Sequence, residues 1–200
     1  MKKSLLTLIL TVAFMVPVFA VEKGSMEIVP KVGYVVEPLM VFTGNSGKKV
    51  GYKQESTFSL GADFYYYVLN NLGAGVGVNY VFDSNCYFVS GWDKEDSLGA
   101  TNIYVTVKPV FELQENNFID KIYFLGQLGY GMTRYENKLP YGSKNFNENG
   151  LYWAIGAGIE KCNIIVEFMY SVDYWETKDG RTLEWTSRRL AINAGYKFNI

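Results

Sequence analysis

Apolar and polar side chains alternate with a period of two through eight segments of this chain. The clearest is the last. Leu190, Ile192, Ala194, Tyr196 and Phe198 fall on one face, and Arg189, Ala191, Asn193, Gly195, Lys197 and Asn199 on the other. Successive side chains of a β-strand point to opposite faces, so this spacing predicts a strand. The same reading predicts strands over 27–42, 56–69, 72–82, 101–111, 121–134, 151–160 and 164–175, with the eighth opening near Leu183. Pro30 and Pro38 lack ladder donors and predict a bulge or an irregular start in the first strand. The last strand reaches Ile200 uncovered. Pairing it with the first strand removes the exposed edge, so a closed, up-and-down antiparallel barrel is expected.

The connections alternate in length. Asn70-Asn71, 113–120 and 161–163 are short or modest, and Asn in a tight turn tolerates positive φ. The segments 43–55, 83–100, 135–150 and 176–182 are mostly longer and richer in Gly, Asn, Lys and Asp. Short turns at one end with long loops at the other is the arrangement of an outer-membrane barrel.

Alternation alone does not say which face looks outward. Two features decide it. The apolar rows carry Tyr34, Phe58, Phe64, Tyr66, Tyr80, Phe124, Tyr130, Trp153, Phe168 and Tyr170, among others. That is too much bulk for an eight-stranded interior, which is just wide enough for side chains to fill. The opposite rows hold Gly61, Gly73, Gly75, Gly77, Gly129, Gly131, Gly156, Gly158 and Gly195. Glycine there makes room for Tyr, Lys and Arg from neighbouring strands. The apolar face is therefore expected to meet lipid. Phe42, Phe82, Tyr174 and Trp185 on the loop side, and Phe111, Tyr196 and Phe198 on the turn side, are candidates for interfacial aromatic girdles.

The polar rows place Lys31, Lys108, Arg189 and Lys197 beside Glu27, Glu37, Asp63, Glu167 and Asp173. Charges in a narrow lumen must pair, so a side-chain network that plugs the lumen is expected. Tyr87, Phe88, Trp92, Tyr141, Phe146, Trp175 and Trp185 lie at loops or rims. They are candidate contacts for a partner or for lipopolysaccharide, or members of the girdle.

Composition narrows the chemistry. The chain has no His, which removes the commonest general base and the Ser-His and Cys-His pairs. Cys86 and Cys162 map to opposite ends of the strand pattern, too far apart for a disulfide or a shared metal. No cofactor or metal site is expected, and no enzyme activity. Gly73-Ala-Gly75-Val-Gly77 sits inside an alternating strand, not between a strand and a helix, so it is read as lumen clearance. Asp93-Lys94-Glu95-Asp96 is read as a solvated loop tip. A net charge of −1 gives no basis for nucleic-acid binding. Met1-Lys2-Lys3, the apolar run to Phe19 and Val18-Phe19-Ala20 read as a secretory signal peptide over residues 1–20, leaving 21–200 as the barrel domain.

The Pro30-Lys31-Val32-Gly33-Tyr34 opening, the eight alternating strands and the Gly195-Tyr196-Lys197-Phe198 finish resemble the small bacterial outer-membrane β-barrel family over essentially the whole mature chain. That resemblance implies outer-membrane lipid and lipopolysaccharide as surroundings. It also implies recognition by the barrel assembly machinery through the aromatic finish, here Phe198, two residues before Ile200. The expected role is structural or surface-interacting, with periplasmic termini and extracellular long loops. The rival readings are a narrow channel for small solutes or ions and a secreted soluble barrel that binds an apolar ligand.

Overall fold

The structure, a computed structural model, describes residues 22–43, 49–88, 96–113, 118–139, 142–178 and 182–200. The predicted signal peptide and the acidic tip at 93–95 lie outside the described residues. Ten strand segments follow in order: β1 (Met26–Thr43), β2 (Lys49–Gln54), β3 (Thr57–Leu69), β4 (Leu72–Phe88), β5 (Asp96–Glu112), β6 (Lys121–Leu139), β7 (Gly142–Lys161), β8 (Ile164–Lys178), β9 (Thr182–Tyr196) and β10 (Phe198–Asn199). β2 and β3 both pair with β1 and β4 and form one stave, interrupted at Glu55-Ser56. β10 continues β9 along β1. Each remaining neighbour pair is antiparallel, and the β1–β9 pairing closes the ring, giving an eight-stranded up-and-down barrel.

The ladder continues past the apolar segments that announce it. β4 runs on to Phe88, β6 to Leu139, and β7 begins at Gly142, nine residues before its first clear alternation at Leu151. The stretch Gly142-Ser-Lys-Asn-Phe-Asn-Glu-Asn-Gly150 has a single apolar side chain, Phe146, and so no apolar row. Backbone pairing with β6 holds it extended, and a hairpin beyond the apolar belt needs no apolar face for burial.

The first strand is bulged where Pro38 predicts it. The register with β9 shifts between Val36 and Leu39, and Val36 and Glu37 are both exposed while Val35 and Pro38 are buried. Pro30, by contrast, stays in regular register opposite Ala62.

The tight turns gather at one end with the start of β1 and Ile200. Asn71 takes φ 65° between β3 and β4. Cys162 and Asn163 take φ 50° and 68° between β7 and β8, the two positive values of a two-residue type I′ hairpin. Ile200 N–H donates to Met26 O at 3.1 Å. Asn suits that left-handed conformation and Cys does not, so Cys162→Asn is expected to stabilise the barrel by about 0.5 kcal/mol. A higher urea midpoint for unfolding from detergent micelles, relative to the parent chain, checks this.

The distribution of side chains is inverted relative to a water-soluble protein. Val32, Phe58, Val105, Leu128, Ile155, Phe168 and Leu190 are each more than half exposed on the outer face. Asp63, Glu167, Lys108 and Asn102 are at most 2% exposed inside. An apolar surface this continuous is unsuited to water and suited to a hydrocarbon layer.

A plugged lumen as the candidate functional site

The inward rows bring the predicted charges together in layers. Nearest the turns, Lys108 Nζ donates to Glu27 Oε2 at 2.8 Å and sits 4.7 Å from the ring centroids of both Tyr65 and Tyr123. Cation and ring quadrupole attract, and the desolvated setting strengthens that attraction. Lys197 pairs with Glu160 and lies 3.7 Å from Glu27 Oε1.

The middle layer centres on Lys31. Its Nζ donates to Asp63 Oδ2 at 2.6 Å and to Glu167 Oε2 at 3.0 Å. The carboxylates are in turn held by hydroxyls. Tyr65 and Tyr104 donate to Asp63 at 2.9 and 2.7 Å, and Tyr123 donates to Glu167 at 3.3 Å. Tyr152 donates to Gln127 at 2.8 Å beside them. Such full satisfaction is what makes a buried charge cluster tolerable.

Higher, Arg189 pairs with Asp173, and the Asn102 amide fits between them with nitrogen towards Asp173 Oδ1 and oxygen towards Arg189. Towards the long-loop end the lining turns apolar. Met40, Cys86, Leu98 and Trp175 form a buried cluster, with Tyr52 and Trp185 packed against it. The Trp175 and Trp185 rings stack with centroids 6.2 Å apart and planes 1° from parallel.

Close approach explains two of the glycines. A Cβ at Gly158 would run into the Tyr123 ring, and one at Gly77 into Asp63 and Tyr104. Both absences create the space in which a tyrosine crosses the lumen. Two cavities among the described residues are small, about 30 Å³ beside Lys31 and Met169 and about 10 Å³ beside Asp173 and Arg189. The first has room for about two waters and the second for at most about one.

All the predicted lumen charges except Glu37 are buried in this network. Glu37 is a correction: the bulge places it on the outer face, where its backbone N–H donates to Ser56 Oγ at 3.1 Å. Trp185 is a second correction. It packs inward on Trp175 and is not part of an outer girdle. Trp175 likewise faces the lumen mouth. Phe82, Tyr196 and Phe198 lie exposed on the outer face, Tyr174 opposite the exposed Leu151, and Phe111 edge-on to Phe124. The side chains of Phe42, Tyr87, Phe88, Trp92, Tyr141 and Phe146 lie outside the described residues. The two cysteines are free, Cys86 in the mouth cluster and Cys162 in a turn.

Glu160 and the lumen tyrosines are members of the network that the charge pattern alone does not single out. Glu160 stands on the row of Gly156 and Gly158, so parity places it inside. Among the described residues no group of three or more His, Cys, Asp or Glu side chains is placed to hold a metal ion.

An exposed ion pair lies at the turns. Lys161 Nζ donates to Asp120 Oδ1 at 2.7 Å, and Cys162 N–H donates to Asp120 Oδ2 at 2.9 Å. The hydrogen bond from Lys161, then the backbone one, holds the Asp120 carboxyl below its usual range. A carboxyl lowered on folding contributes stability above its unfolded pKa and loses it as pH falls through the folded value. Asp120→Asn is therefore expected to flatten part of the acid-side loss of stability below about pH 4. Urea titrations of both chains across that range check it.

No protein-family model matches the chain, and no curated protein matches it. Solved structures do. Ail, the attachment invasion locus protein of Yersinia pestis, aligns over 88% of this chain and 100% of its own at 17% identity and a TM-score of 0.51. The outer membrane protein OprG from Pseudomonas aeruginosa aligns over 88% and 97% at 16% identity and a TM-score of 0.50. The fold is that of the small eight-stranded outer-membrane β-barrels.

Proposed function

We propose that this chain is a non-enzymatic outer-membrane barrel with a structural or surface-interaction role, and that its lumen passes no stream of solute. The observation that carries the closed lumen is the Lys31 cluster. A cation held between Asp63 and Glu167, each braced by tyrosine hydroxyls, blocks the axis at mid-height. The mouth cluster of Met40, Leu98 and Trp175 adds an apolar seal above it.

What supports the membrane is the outward apolar belt, which any aqueous compartment would leave unsatisfied. In this reading residues 1–20 direct export and are removed, the turns and both termini face the periplasm, and the long loops face outward. Lipid and lipopolysaccharide surround the belt. Phe82 and Tyr174 on the loop side, and Phe111, Tyr196 and Phe198 on the turn side, sit at its borders as girdles. The barrel assembly machinery reads the Phe198 finish. Specificity for an extracellular partner resides in the long loops, because loops on a rigid scaffold carry recognition. Ail, which has this fold, is named for attachment and invasion, and its name fits a contact made at that end.

Planar-bilayer recording tests the closed lumen. The expected trace shows no steady unitary conductance. Large, persistent channel openings from the purified protein would favour a narrow channel instead. A tag inserted within 89–95 should be reached by antibody on intact cells, and a tag after Ile200 should not.

A further inference from the structure

We infer that the outer face around β1 and β9 binds one lipid of the loop-side leaflet, a lipid whose headgroup carries two phosphates. This deepens the membrane reading above and rests on it. The first observation is a groove. A depression of about 730 Å³ crosses β6 to β9 on the outer face, walled by Phe124, Ile155, Phe168, Leu190 and Ile192, with the small Ala157 in its floor. Its walls are exposed apolar side chains inside the belt, so what fills it is hydrocarbon.

The second observation is charge at the end of that groove. Leu190 lines it, and Arg188, two residues on towards the loops, shares Leu190's outward face. Leu39 pairs with Arg188 on one side and with Lys53 on the other. Both cations are exposed, and neither takes part in an ion pair among the described residues. Two strand steps separate their backbones by about 10 Å. One phosphate at each, with an acyl chain turned down into the groove, satisfies both features at once. Phosphate meets Arg and Lys through charge-assisted hydrogen bonds. Bare cations at the upper border of an apolar belt have few other partners there.

Acidic neighbours restrict the fit. Glu37 lies between the Val36 and Leu39 rows on the same face, and Glu55 is engaged by Asn85 Nδ2 at 3.1 Å. Glu37 disfavours a phosphate placed between the cations, and so favours two separated ones. Removing its charge should relax the preference for two phosphates over one.

Native mass spectrometry on the folded protein in detergent micelles tests this, with two-phosphate lipid A, monophosphoryl lipid A and phosphatidylglycerol as probes. The two-phosphate lipid should be retained most tightly. K53Q with R188Q should weaken it about tenfold or more. A157F, which fills the groove floor, should weaken all three probes. E37Q should narrow the gap between the first two. Each variant is first checked for the mobility shift between unboiled and boiled samples. Should the double variant fail that check, R188Q and K53Q singly carry the test. Equal retention of phosphatidylglycerol, or an unchanged affinity in the cation variants, overturns the lipid site. A barrel that shifts on boiling and inserts into bilayers but shows no headgroup preference overturns this inference alone. A chain recovered without detergent overturns the membrane reading beneath it.

Discussion

Replacing Lys31 with methionine should cost about 3–5 kcal/mol of barrel stability, because it strands two buried carboxylates. Asp63 and Glu167 are each about 1% exposed, and both rely on the same ammonium. Without it their negative charges face each other across a narrow lumen with only tyrosine hydroxyls and the Asn193 amide in support. The remedy follows from the same electrostatics. Adding Asp63→Asn and Glu167→Gln to Lys31→Met leaves neutral groups that can still accept from the tyrosines, and most of the loss should return. Urea midpoints of the single and triple variants in detergent decide it. Equal losses in both would mean that Lys31 contributes by packing its stem and not by pairing.

The second large effect is on the outer face. Val105 stands in the middle of the outward row of β5, between Thr101 towards the loops and Phe111 towards the turns. It is 59% exposed and pairs with Val76 and Leu128, both also exposed. Val105→Arg should cost roughly 2–4 kcal/mol in a lipid bilayer, since an arginine at the midplane must snorkel or thin the membrane. At Thr101, at the end of the row, the membrane cost of arginine falls to about 0–1 kcal/mol, and the remaining loss is that of the hydrogen bond Arg134 Nη1 donates to Thr101 Oγ1 at 3.0 Å. The contrast is specific to lipid. A soluble barrel with this face in water would tolerate arginine at either position. Folding yields into bilayers at a series of urea concentrations measure the difference.

Much of this architecture was legible because a period of two leaves little freedom. Once Leu190, Ile192 and Ala194 share a face, Arg189 and Lys197 take the other, and the lumen charges follow. The places where reading failed are those where parity is broken or ignored. At Glu37 a bulge inserts one residue, so every position beyond it changes face. Pro38 signals the bulge but not which residue it turns outward. Trp185 lies on the row of Ser187 and Arg189, so alternation points it inward. Its nearness to a strand end suggested a girdle, and the stacking partner Trp175, on the Asp173 row, becomes visible only when β8 and β9 are paired. Glu160 was legible in principle, on the glycine row of β7, but its partner Lys197 lies on a strand far away in sequence. Pairing across the barrel depends on register, which one strand's pattern does not contain. The polar extension of β7 over 142–150 had no apolar row to read at all.

The account depends on which side of the wall meets hydrocarbon, and spin-label accessibility measures that directly. In a background with Cys86 and Cys162 replaced by alanine and serine, nitroxides would be placed one at a time at Val32, Val105, Leu128 and Ile155 in liposomes. The predicted result is strong relaxation by dissolved oxygen, which concentrates in the bilayer, and almost none by a water-soluble nickel chelate. Strong relaxation by the nickel chelate at these four positions would place them in water and contradict the account.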